Sequence, residues 1–451
     1  MFDAIVIGAR CAGSPTAMLL AKKGHRVLVV DRATFPSDVI STHFLWPHGA
    51  SYLNRWGLLD SVQAVTPSHT QIKLVNEGIP LTGSVPLDLL KQHFQTLHGD
   101  DHGLVQTYLS VRRRVLDQIL VDAAVSAKAE MRQGCAVERL LMDGDRVVGI
   151  AGRTKDGTPF EERARVVVAA DGRNSFLARS LDLPKFDQRK RCTFAYWSYF
   201  SGFSVPEGQI HRRGRLAAAV VPTNFDQNMV LVWGPGEWFE AFKKDIKGNH
   251  QRALDYVCPE IGAAVRERGM REEKFYGTAD QDAYLRPLFG PGWVLAGDAE
   301  CFKDQCTATG MSHAFRDAEL VASAIDQTLA EKGTFEENFK TYESRRRSQS
   351  SAAYYDYVCT YAEMKPLRHD ELLLLVALRS NQGEANRFIA THADIAPVAD
   401  FFTSSNLFQL LEQARESAND HPIFQRYEAA SRSYRANPFL ENASAAREER
   451  P

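Results

Sequence analysis

The first 31 residues constrain the fold most, because their hydrophobic period changes repeatedly within a short stretch. Residues 4–7 are a continuous apolar run typical of a buried strand, and residues 8–13 form a turn that begins and ends with glycine. Residues 14–23 carry apolar side chains at helical spacing, and residues 26–30 are a second apolar run followed by Asp31. A strand, a helix and a strand within about 30 residues predict a βαβ module, and therefore a parallel sheet.

The turn of this module reads GARCAG, with Gly8 and Gly13 at the outer positions of the GxGxxG pattern and Arg10 in place of the middle glycine. The glycines allow a tight turn, and the backbone N–H groups at the helix start, beside Ala12, face a pyrophosphate. Arg10 either narrows the approach of that pyrophosphate or extends outwards over the cofactor. Asp31 is placed to accept hydrogen bonds from ribose hydroxyls and would repel a 2′-phosphate, which favours FAD or NAD.

Charge and composition exclude several classes of protein. The 451 residues include 54 Lys plus Arg and 56 Asp plus Glu, a formal net charge of -2, so the chain lacks the basic field that nucleic acid or an anionic membrane requires. With 44% hydrophobic and 24% charged residues, the composition is that of a globular protein of two or three domains. We therefore expect a small-molecule partner and no nucleic acid, and the oligomeric state stays open.

Two further features bear on location. The 7 cysteines are odd in number and scattered, which is not the pattern of a disulfide framework. The longest apolar run, residues 372–378, is far shorter than the roughly 20 residues that a membrane span needs, and the chain starts with a strand rather than a signal peptide. We expect a cytoplasmic protein with no integral membrane segment.

Two kinds of segment alternate along the chain. Strand and helix patterns of the α/β kind recur after the N-terminal module, whereas the segments between them are rich in alternating strands, turn formers and aromatic residues. This predicts a discontinuous α/β domain with an inserted antiparallel sheet. The α/β domain is assigned to residues 1–70, 104–184 and 278–340, the inserted sheet to residues 71–103 and 185–277, and a helical segment with a frayed tail to residues 341–451.

Two later segments identify the dinucleotide. The chain reads VVVAADGR at 166–173 and VLAGDAECFKDQCTATGM at 294–311. With the N-terminal turn, and in this order, they resemble the three signatures of the FAD-dependent group A flavoprotein monooxygenases, whose fold is that of para-hydroxybenzoate hydroxylase and geranylgeranyl reductase. The resemblance implies an α/β fold with a Rossmann-like FAD-binding domain of the GR2 type, an inserted antiparallel β-sheet substrate domain and a helical C-terminal segment.

The resemblance also assigns residues to FAD. Asp298, in the late Gly-Asp pair, would contact the ribityl chain, and the helix that begins at Gly310-Met311 would point its N-terminus at the isoalloxazine. A helix N-terminus carries partial positive charge, which stabilises an anionic reduced flavin. Asp171-Gly172 would lie near the pyrophosphate groove.

Two other positions match FAD contacts of the family, and Arg32 is a further candidate because of its place in the chain. Arg113, at the start of the helix in VRRRVLD, would contact the phosphates or the adenosine. Val137, on the strand after that helix, would offer its backbone to the adenine. Arg32, directly after Asp31, would cover the adenosine.

The third signature departs from the family pattern in its loop. Gln305 stands near the position where the family usually has proline, and Glu300 and Cys301 follow Gly-Asp-Ala. We therefore expect the loop beneath the flavin to have its own shape. Cys301 and Cys306 lack the Cys-x-x-Cys spacing of a redox dithiol, which favours two reduced cysteines.

His43 is the candidate catalytic residue, because it lies in the segment that crosses towards the flavin in this family. Imidazole titrates near neutrality, so His43 is able to donate a hydrogen bond to the flavin or accept a substrate proton. A structural histidine is equally compatible with the sequence.

The predicted inserted sheet carries many aromatic residues. Strand alternation places Tyr196 and Ser198 on one face, and Trp197 and Tyr199 on the other. We select Tyr196 and Trp233 as candidates for an apolar substrate pocket over the flavin. The core of the sheet is nevertheless the commoner position for such side chains.

The resemblance implies a hydroxylase that uses NADH or NADPH as a transient reductant and O2 to oxygenate a bulky aromatic or apolar molecule. Two alternatives stay open: a flavin-dependent reductase or dehydrogenase of an isoprenoid-like or polycyclic substrate, and a non-catalytic flavin-binding redox sensor. A halogenase is disfavoured because no Trp-x-Trp-x-x-Pro segment is found. No metal-binding motif is present in the sequence, so we expect no metal.

Overall fold

The computed structural model describes residues 1–190, 192–279, 281–349, 352–418 and 437–439. The strands are, in chain order, β1 (Phe2–Ile7), β2 (Val27–Asp31), β3 (Phe44–Leu45), β4 (Ser68–His69), β5 (Ile72–Asn76), β6 (Ile79–Gly83), β7 (Tyr108–Ser110), β8 (Glu130–Gln133), β9 (Cys135–Asp143), β10 (Arg146–Thr154), β11 (Pro159–Ala169), β12 (Phe186–Arg189), β13 (Thr193–Ser201), β14 (Gly208–Arg213), β15 (Leu216–Thr223), β16 (Gln227–Pro235), β17 (Met270–Arg271), β18 (Tyr276–Thr278), β19 (Ala283–Leu285), β20 (Phe289–Gly290), β21 (Trp293–Leu295) and β22 (Cys301–Phe302). The helices are α1 (Gly13–Lys22), α2 (Pro47–Arg55), α3 (Leu59–Gln63), α4 (Leu87–His98), α5 (Arg113–Ser126), α6 (Phe176–Ser180), α7 (Phe239–Lys243), α8 (Ile246–Val257), α9 (Pro259–Glu267), α10 (Gly310–Leu329), α11 (Phe335–Gln349), α12 (Ala352–Ala362), α13 (His369–Ser380), α14 (Gln382–His392), α15 (Val398–Phe401) and α16 (Ser404–Ala418).

The first sheet has the strand order β20–β21–β11–β1–β2–β8, and β9 and β10 extend it from β11. β1 runs parallel to β2 and to β11, which is in turn parallel to β21. Ala4 and Val6 face a large core that also contains residues of α1 and α10, whereas Ile5 and Ile7 face a second core on the opposite side. Burial of both faces explains why these strands are continuously apolar in the sequence.

The second sheet has the order β17–β13–β16–β15–β14–β5–β6, with β18 also paired to β13. Neighbouring strands are antiparallel except β14 and β5, which run parallel. The β5–β6 hairpin comes from an earlier part of the chain than the other strands of this sheet. Residues of α7, α8 and α9 pack on the outer face of this sheet, and its inner face joins the core shared with the first sheet. The predicted fold class is therefore confirmed, with one parallel pair in a sheet that was expected to be antiparallel.

Helices of the C-terminal segment cover the β6 edge of the second sheet. α13 and α14 both pack on β6. Gln382 Nε2 donates to the Thr82 carbonyl at 2.9 Å, and Asn386 Oδ1 accepts from the Ser84 N–H at 3.1 Å. These contacts occupy backbone groups that an open edge would offer to another chain.

The frayed tail that the sequence predicts falls after residue 418, outside the described residues except for 437–439. Across the described ranges, no helix is both long enough and apolar enough to cross a membrane.

Burial keeps several histidines neutral and makes the stability of the fold depend on pH. Desolvation lowers the pKa of His250 and His392 from 6.5 to about 4, and that of His43 and His98 to about 3. Below about pH 6.5 the unfolded chain therefore binds protons that the folded protein does not. We expect the free energy of unfolding to fall with decreasing pH, by about 1.4 kcal/mol per pH unit for each such histidine.

Denaturant unfolding at several values between about pH 7 and pH 5 measures this slope. His250→Phe retains a ring beside Phe200 and Phe275 and should give a smaller slope. His102→Gln is the matched control, because that side chain is 66% exposed and its replacement should leave the slope unchanged. A free energy of unfolding that does not vary with pH over this range would contradict the prediction.

Candidate functional site

The three motif-bearing segments meet at the carboxyl ends of the parallel strands β1, β11 and β21. A Cβ placed on Gly8 would lie 2.5 Å from the Ala170 carbonyl oxygen, so the second segment lies directly against the first. A Cβ placed on Gly297 would lie 3.4 Å from the Ala12 Cβ, so the third segment also contacts the start of α1. Segments far apart in the sequence thus form one site, at the edge where open α/β sheets bind their ligands.

The N-terminal turn requires glycine at both of its outer positions. Gly8 has a φ of 100°, a conformation that side chains disfavour. A Cβ on Gly13 would lie 1.8 Å from the Gly8 carbonyl oxygen, so α1 starts in direct contact with the turn. No side chain caps α1 at Ala12, which leaves its first-turn N–H groups suited to an anion.

Asp31 supports this turn from the end of β2. Its Oδ2 accepts from the Ala9 N–H at 2.8 Å, and its Oδ1 accepts from the Ala33 N–H at 2.7 Å. Each carboxylate oxygen has a second lone pair for a further donor, such as a ribose hydroxyl. Beside it, Arg32 is exposed, and Val137 is half-buried on β9.

Arg10 and Arg113 share one buried carboxylate, that of Asp117. Arg10 Nη1 lies 2.5 Å from Asp117 Oδ2, and Arg113 Nε lies 3.0 Å from Asp117 Oδ1. The Asp117 side chain has 0% exposure, and the Arg10 guanidinium lies 5.2 Å from the centre of the Phe35 ring. Arg10 is therefore held towards α5. Two cations on one carboxylate leave net positive charge beside the turn, which suits a pyrophosphate.

Asp298 is exposed and lies between the buried residues Gly297 and Ala299. The surrounding protein displaces water and raises the pKa of the Asp298 carboxyl, while the charges of Lys303 and Arg113 act in the opposite direction. The proximity of Arg113 links the third segment to the N-terminal turn.

The long helix α10 packs against the Gly297–Ala299 segment. No side chain caps its N-terminus at Thr309, and a Cβ added to Gly310 would meet no atom within 4 Å. Met311 is buried behind it. The first turn of α10 therefore presents its positive dipole end to open space.

The Asp171-Gly172 pair closes the other side of the turn. Asp171 Oδ2 accepts from the Phe176 N–H at 2.6 Å, while Oδ1 is buried and has no hydrogen-bond partner among the described residues. Burial raises the pKa of this carboxyl. A buried carboxyl oxygen without a partner is suited to a hydrogen bond with a ligand.

A small apolar cavity of about 30 Å³ lies between the second sheet and the loop that precedes α10. The sheet contributes the side chains of Ile210, Ala219, Val221, Met229, Leu231 and Trp233. The loop contributes Gln305, Cys306 and Ala308, and the segment after β2 contributes Thr42 and Phe44. Trp233, predicted as a substrate-pocket residue, therefore lies in the cavity wall.

Tyr196 requires a correction, because it lies on the opposite face of the sheet. In the pairing of β13 with β16, Trp233 is opposite Ala195, and Val232, the residue before Trp233, is opposite Tyr196. Successive residues of a strand point to opposite faces, so Trp233 and Tyr196 lie on different faces of the sheet. The Tyr196 ring lies 5.2 Å from the Phe242 ring, in the core beneath the outer helices. The predicted alternation of aromatic residues is observed, but Tyr196 does not line the cavity.

His43 is not among the residues that line the cavity, unlike its neighbours Thr42 and Phe44. Its Nε2 lies 2.9 Å from the Tyr199 hydroxyl, and its Nδ1 lies 3.1 Å from Ser110 Oγ. Burial is the largest cause that lowers the pKa of His43 to about 3, so the ring is neutral at physiological pH. His43 also has a φ of 40°, a strained conformation of the kind found at functional sites.

Tyr199 connects His43 to a buried arginine. The Arg112 guanidinium lies 3.8 Å from the centre of the Tyr199 ring. Arg112 also forms ion pairs with Glu273 at 2.6 Å and Asp38 at 2.9 Å. This chain of contacts joins the segment after β2, helix α5 and the second sheet.

The loop beneath the expected flavin position is held from both sides. Asp304 is buried and accepts from Thr193 Oγ1, at the start of β13, at 2.8 Å and from the Cys306 N–H at 3.0 Å. Trp46 Nε1 donates to the Thr307 carbonyl at 2.9 Å. These contacts fix the loop against the second sheet on one side and the segment before α2 on the other.

The two loop cysteines are free thiols in the structure. Burial raises the pKa of Cys306 well above its usual value, which disfavours a thiolate nucleophile. Lys303 Nζ lies 3.4 Å from Cys301 Sγ. This geometry agrees with the expectation of two reduced cysteines.

Sequence reasoning missed two buried carboxylates that organise this site. Asp117 follows Arg113 by one helical turn, and this i,i+4 spacing was an available signal. Asp317 Oδ2 accepts from the Gly297 N–H at 3.1 Å and so holds the third segment in place. No local pattern distinguishes Asp317 from the exposed acidic residues of a helix, so its role depends on tertiary packing.

The dinucleotide turn and the fold around it place the chain in the class of FAD-dependent oxidoreductases. A family model described as "FAD binding domain" matches residues 1–355. The chain therefore belongs to this family, that of the flavoprotein monooxygenases similar to para-hydroxybenzoate hydroxylase.

Known relatives of the chain have diverse activities. It is 24% identical over 340 residues to the 1H-pyrrole-2-carbonyl-[peptidyl-carrier protein] brominase of Pseudoalteromonas luteoviolacea, covering 73% of this chain and 78% of the relative. It is 24% identical over 367 residues to digeranylgeranylglycerophospholipid reductase 2 of Methanopyrus kandleri, covering 76% and 82%. The crystal structure of PqsL, a probable FAD-dependent monooxygenase from Pseudomonas aeruginosa, aligns with a TM-score of 0.62 at 21% identity, over 87% of this chain and 99% of PqsL. At this identity the structural likeness supports the fold alone.

Proposed function

We propose that the chain is an FAD-dependent monooxygenase that hydroxylates a bulky, mainly apolar small molecule at the expense of NAD(P)H and O2. The observation that carries this proposal is the apolar cavity bounded by the second sheet and the loop between Asp298 and α10. An oxygenation site has to hold an apolar substrate beside the flavin and exclude water from it. Because relatives of the chain have other activities, the experiment below also has to distinguish the monooxygenase from a reductase and a halogenase.

The residues around the N-terminal turn fit the adenosine and pyrophosphate parts of FAD. Gly8, Gly13 and the uncapped start of α1 at Ala12 would hold the pyrophosphate, with Arg10 and Arg113 supplying positive charge. Asp31 would bind the ribose, and Arg32 and Val137 would contact the adenosine. Asp171 and Gly172 would lie along the pyrophosphate groove.

The third segment fits the flavin end. Asp298 would hold the ribityl chain, and Gly310 and Met311 would present the N-terminus of α10 to the isoalloxazine. When bound, the flavin supplies the redox chemistry between NAD(P)H, O2 and the substrate. The positive end of the α10 dipole stabilises negative charge at this position. The apolar cavity walls hold the substrate and keep water away.

His43 has a positioning role in this proposal. Its neutral ring fixes the Tyr199 hydroxyl at 2.9 Å, and Tyr199 packs against Arg112. Any proton that His43 exchanges passes through Tyr199 or Ser110, because those are its hydrogen-bond partners. A direct catalytic contact with the substrate is therefore not part of the proposal.

A reductase is the second candidate, favoured by the similarity to the phospholipid reductase of Methanopyrus kandleri. Such an enzyme would use the same apolar cavity for a polycyclic or isoprenoid-like alkene and would not incorporate oxygen. The brominase relative makes halogenation a third outcome of the test, although the chain lacks a Trp-x-Trp-x-x-Pro segment.

The decisive experiment reduces the purified flavoprotein with NADH or NADPH without oxygen, and then adds isotopically labelled O2 with bromide and a panel of apolar aromatic compounds and alkenes. A monooxygenase gives a product that carries one labelled oxygen atom. A reductase gives an unlabelled product in which the alkene is reduced, and a halogenase gives a brominated product. A flavin that neither nucleotide reduces, with every compound tested, contradicts the NAD(P)H-dependent monooxygenase and favours a redox sensor or a different electron donor.

A cavity variant links turnover to this site. Ala219→Phe places a ring in the cavity wall and should lower kcat/KM about 100-fold, as expected for a displaced substrate, with flavin content unchanged. Normal labelled-product formation by this variant would show that the substrate binds elsewhere.

A further inference from the structure

Two buried hydrogen-bond donors in the cavity wall have no partner. Trp233 Nε1 and Gln305 Nε2 are both buried, and neither has a hydrogen-bond partner among the described residues. Both residues line the apolar cavity, Trp233 from the sheet and Gln305 from the loop on the opposite side. Buried donors are almost always paired in native proteins, so two orphans on one cavity require an explanation.

The rest of the cavity wall restricts the explanation. None of the described residues that line the cavity is charged, so a ligand that carries a charge there would lose its hydration without compensation. Indole N–H is a donor only, so the group that satisfies Trp233 has to be an acceptor. The amide N–H of Gln305 requires an acceptor as well.

We infer that the substrate is an uncharged, mainly apolar molecule that presents an acceptor oxygen, such as a carbonyl, to Trp233 and Gln305. This inference rests on the proposed function in one respect, that the cavity is the substrate site. Both nitrogens are buried in the structure and the cavity is small. Ligand binding therefore requires the cavity side chains to rotate and enlarge the space, and rotamer changes of this kind are common on binding. The two residues then orient the substrate by its oxygen and select against hydrocarbons of the same shape, which leave both donors unpaired.

Equilibrium binding to the oxidised holoprotein, without NAD(P)H, tests the inference by calorimetry. The probes are two pairs that differ only in a carbonyl group, α-tetralone with tetralin and fluorenone with fluorene. We expect at least one ketone to bind about tenfold more tightly than its hydrocarbon, from the cost of unpaired buried donors. Trp233→Phe and Gln305→Met should each reduce this preference to about threefold or less.

Trp238→Phe is the matched control, because Trp238 packs in the core on the outer face of the sheet and should leave the preference unchanged. Thermal unfolding and flavin content establish that each variant is folded and loaded. Equal affinity for ketone and hydrocarbon, no saturable binding of either ketone, or a preference that survives in both cavity variants would overturn the inference.

The outcomes are separable from those of the turnover experiment. If the protein prefers ketones through Trp233 and Gln305 and yet incorporates no labelled oxygen, that result supports the binding site for an acceptor oxygen and contradicts the monooxygenase. Oxygen incorporation without a ketone preference retains the monooxygenase and rejects the acceptor site.

Discussion

Gly13→Ala should yield a protein that is purified without bound flavin and is less stable by about 3 kcal/mol. The added Cβ would lie 1.8 Å from the Gly8 carbonyl oxygen and 2.9 Å from its carbonyl carbon. These are backbone atoms, so no side-chain rotation relieves the contact, and α1 has to move away from the turn. Displacement of the helix start removes the N–H groups that would face the pyrophosphate, and FAD affinity should fall more than about 100-fold.

The ratio of flavin absorbance to protein absorbance and a denaturant unfolding curve measure both effects. Gly383→Ala is the matched control, because its Cβ would approach no atom closer than 3.5 Å, in the first turn of α14. That replacement should retain the flavin and change stability by at most about 1 kcal/mol, in the stabilising direction. A Gly13→Ala protein with a full complement of flavin would disprove the assigned role of this turn.

Arg346→Ala should lower the free energy of unfolding by about 3–5 kcal/mol, although the residue lies far from the glycine turn in the sequence. Arg346 is buried, pairs with Glu300 through Nη2, and places its Nε 3.2 Å from Asp317 Oδ1. Its removal leaves two buried carboxylates to share the remaining positive charge of Arg316. Because Asp317 holds the Gly297 N–H, we also expect weaker flavin binding.

Denaturant unfolding of Arg346→Ala against Arg347→Ala separates buried from exposed charge. Arg347 is the next residue, its side chain is 71% exposed, and it pairs with Glu343 at 2.6 Å, so its loss should cost at most about 1 kcal/mol. Burial raises the pKa of Glu300 and Arg346 opposes that shift. Without Arg346, protonation of Glu300 relieves the unpaired charge, so the loss of stability should be smaller at low pH than at neutral pH. Equal effects of the two replacements would contradict the role of Arg346.

The Arg346 contacts show how the helices after α10 support the site. α11 packs along α10 and supplies a buried cation to the loop that carries Asp298. Beyond the family match, which ends at residue 355, α13 and α14 cover the β6 edge of the second sheet. The helices after α10 therefore contact both the loop that carries Asp298 and the edge of the second sheet.

The sequence predicted the ends of the strands and the helix of the βαβ module to within two residues. Strand β1, the turn at Gly8, helix α1 and Asp31 at the end of β2 all lie where the change of hydrophobic period places them. Such elements depend on contacts between residues close in the sequence, and their side-chain periodicity is visible in the chain itself. The FAD-binding family followed from three such local segments and their order.

The sequence by itself therefore determined the local elements, the dinucleotide turn and the alternation of aromatic residues along β13. Only the tertiary structure decided that Trp233 faces the cavity while Tyr196 faces the helices, that Asp117 binds two arginines, and that Arg346 supports the Gly297 loop. Alternation places the side chains of a strand on two faces of the sheet, but it does not determine which face packs on the helices and which lines the cavity. That choice, like the partner of a buried charge, depends on packing between segments that are separated in the sequence, by 107 residues in the case of Asp117 and one of its arginines, which local spacing does not encode.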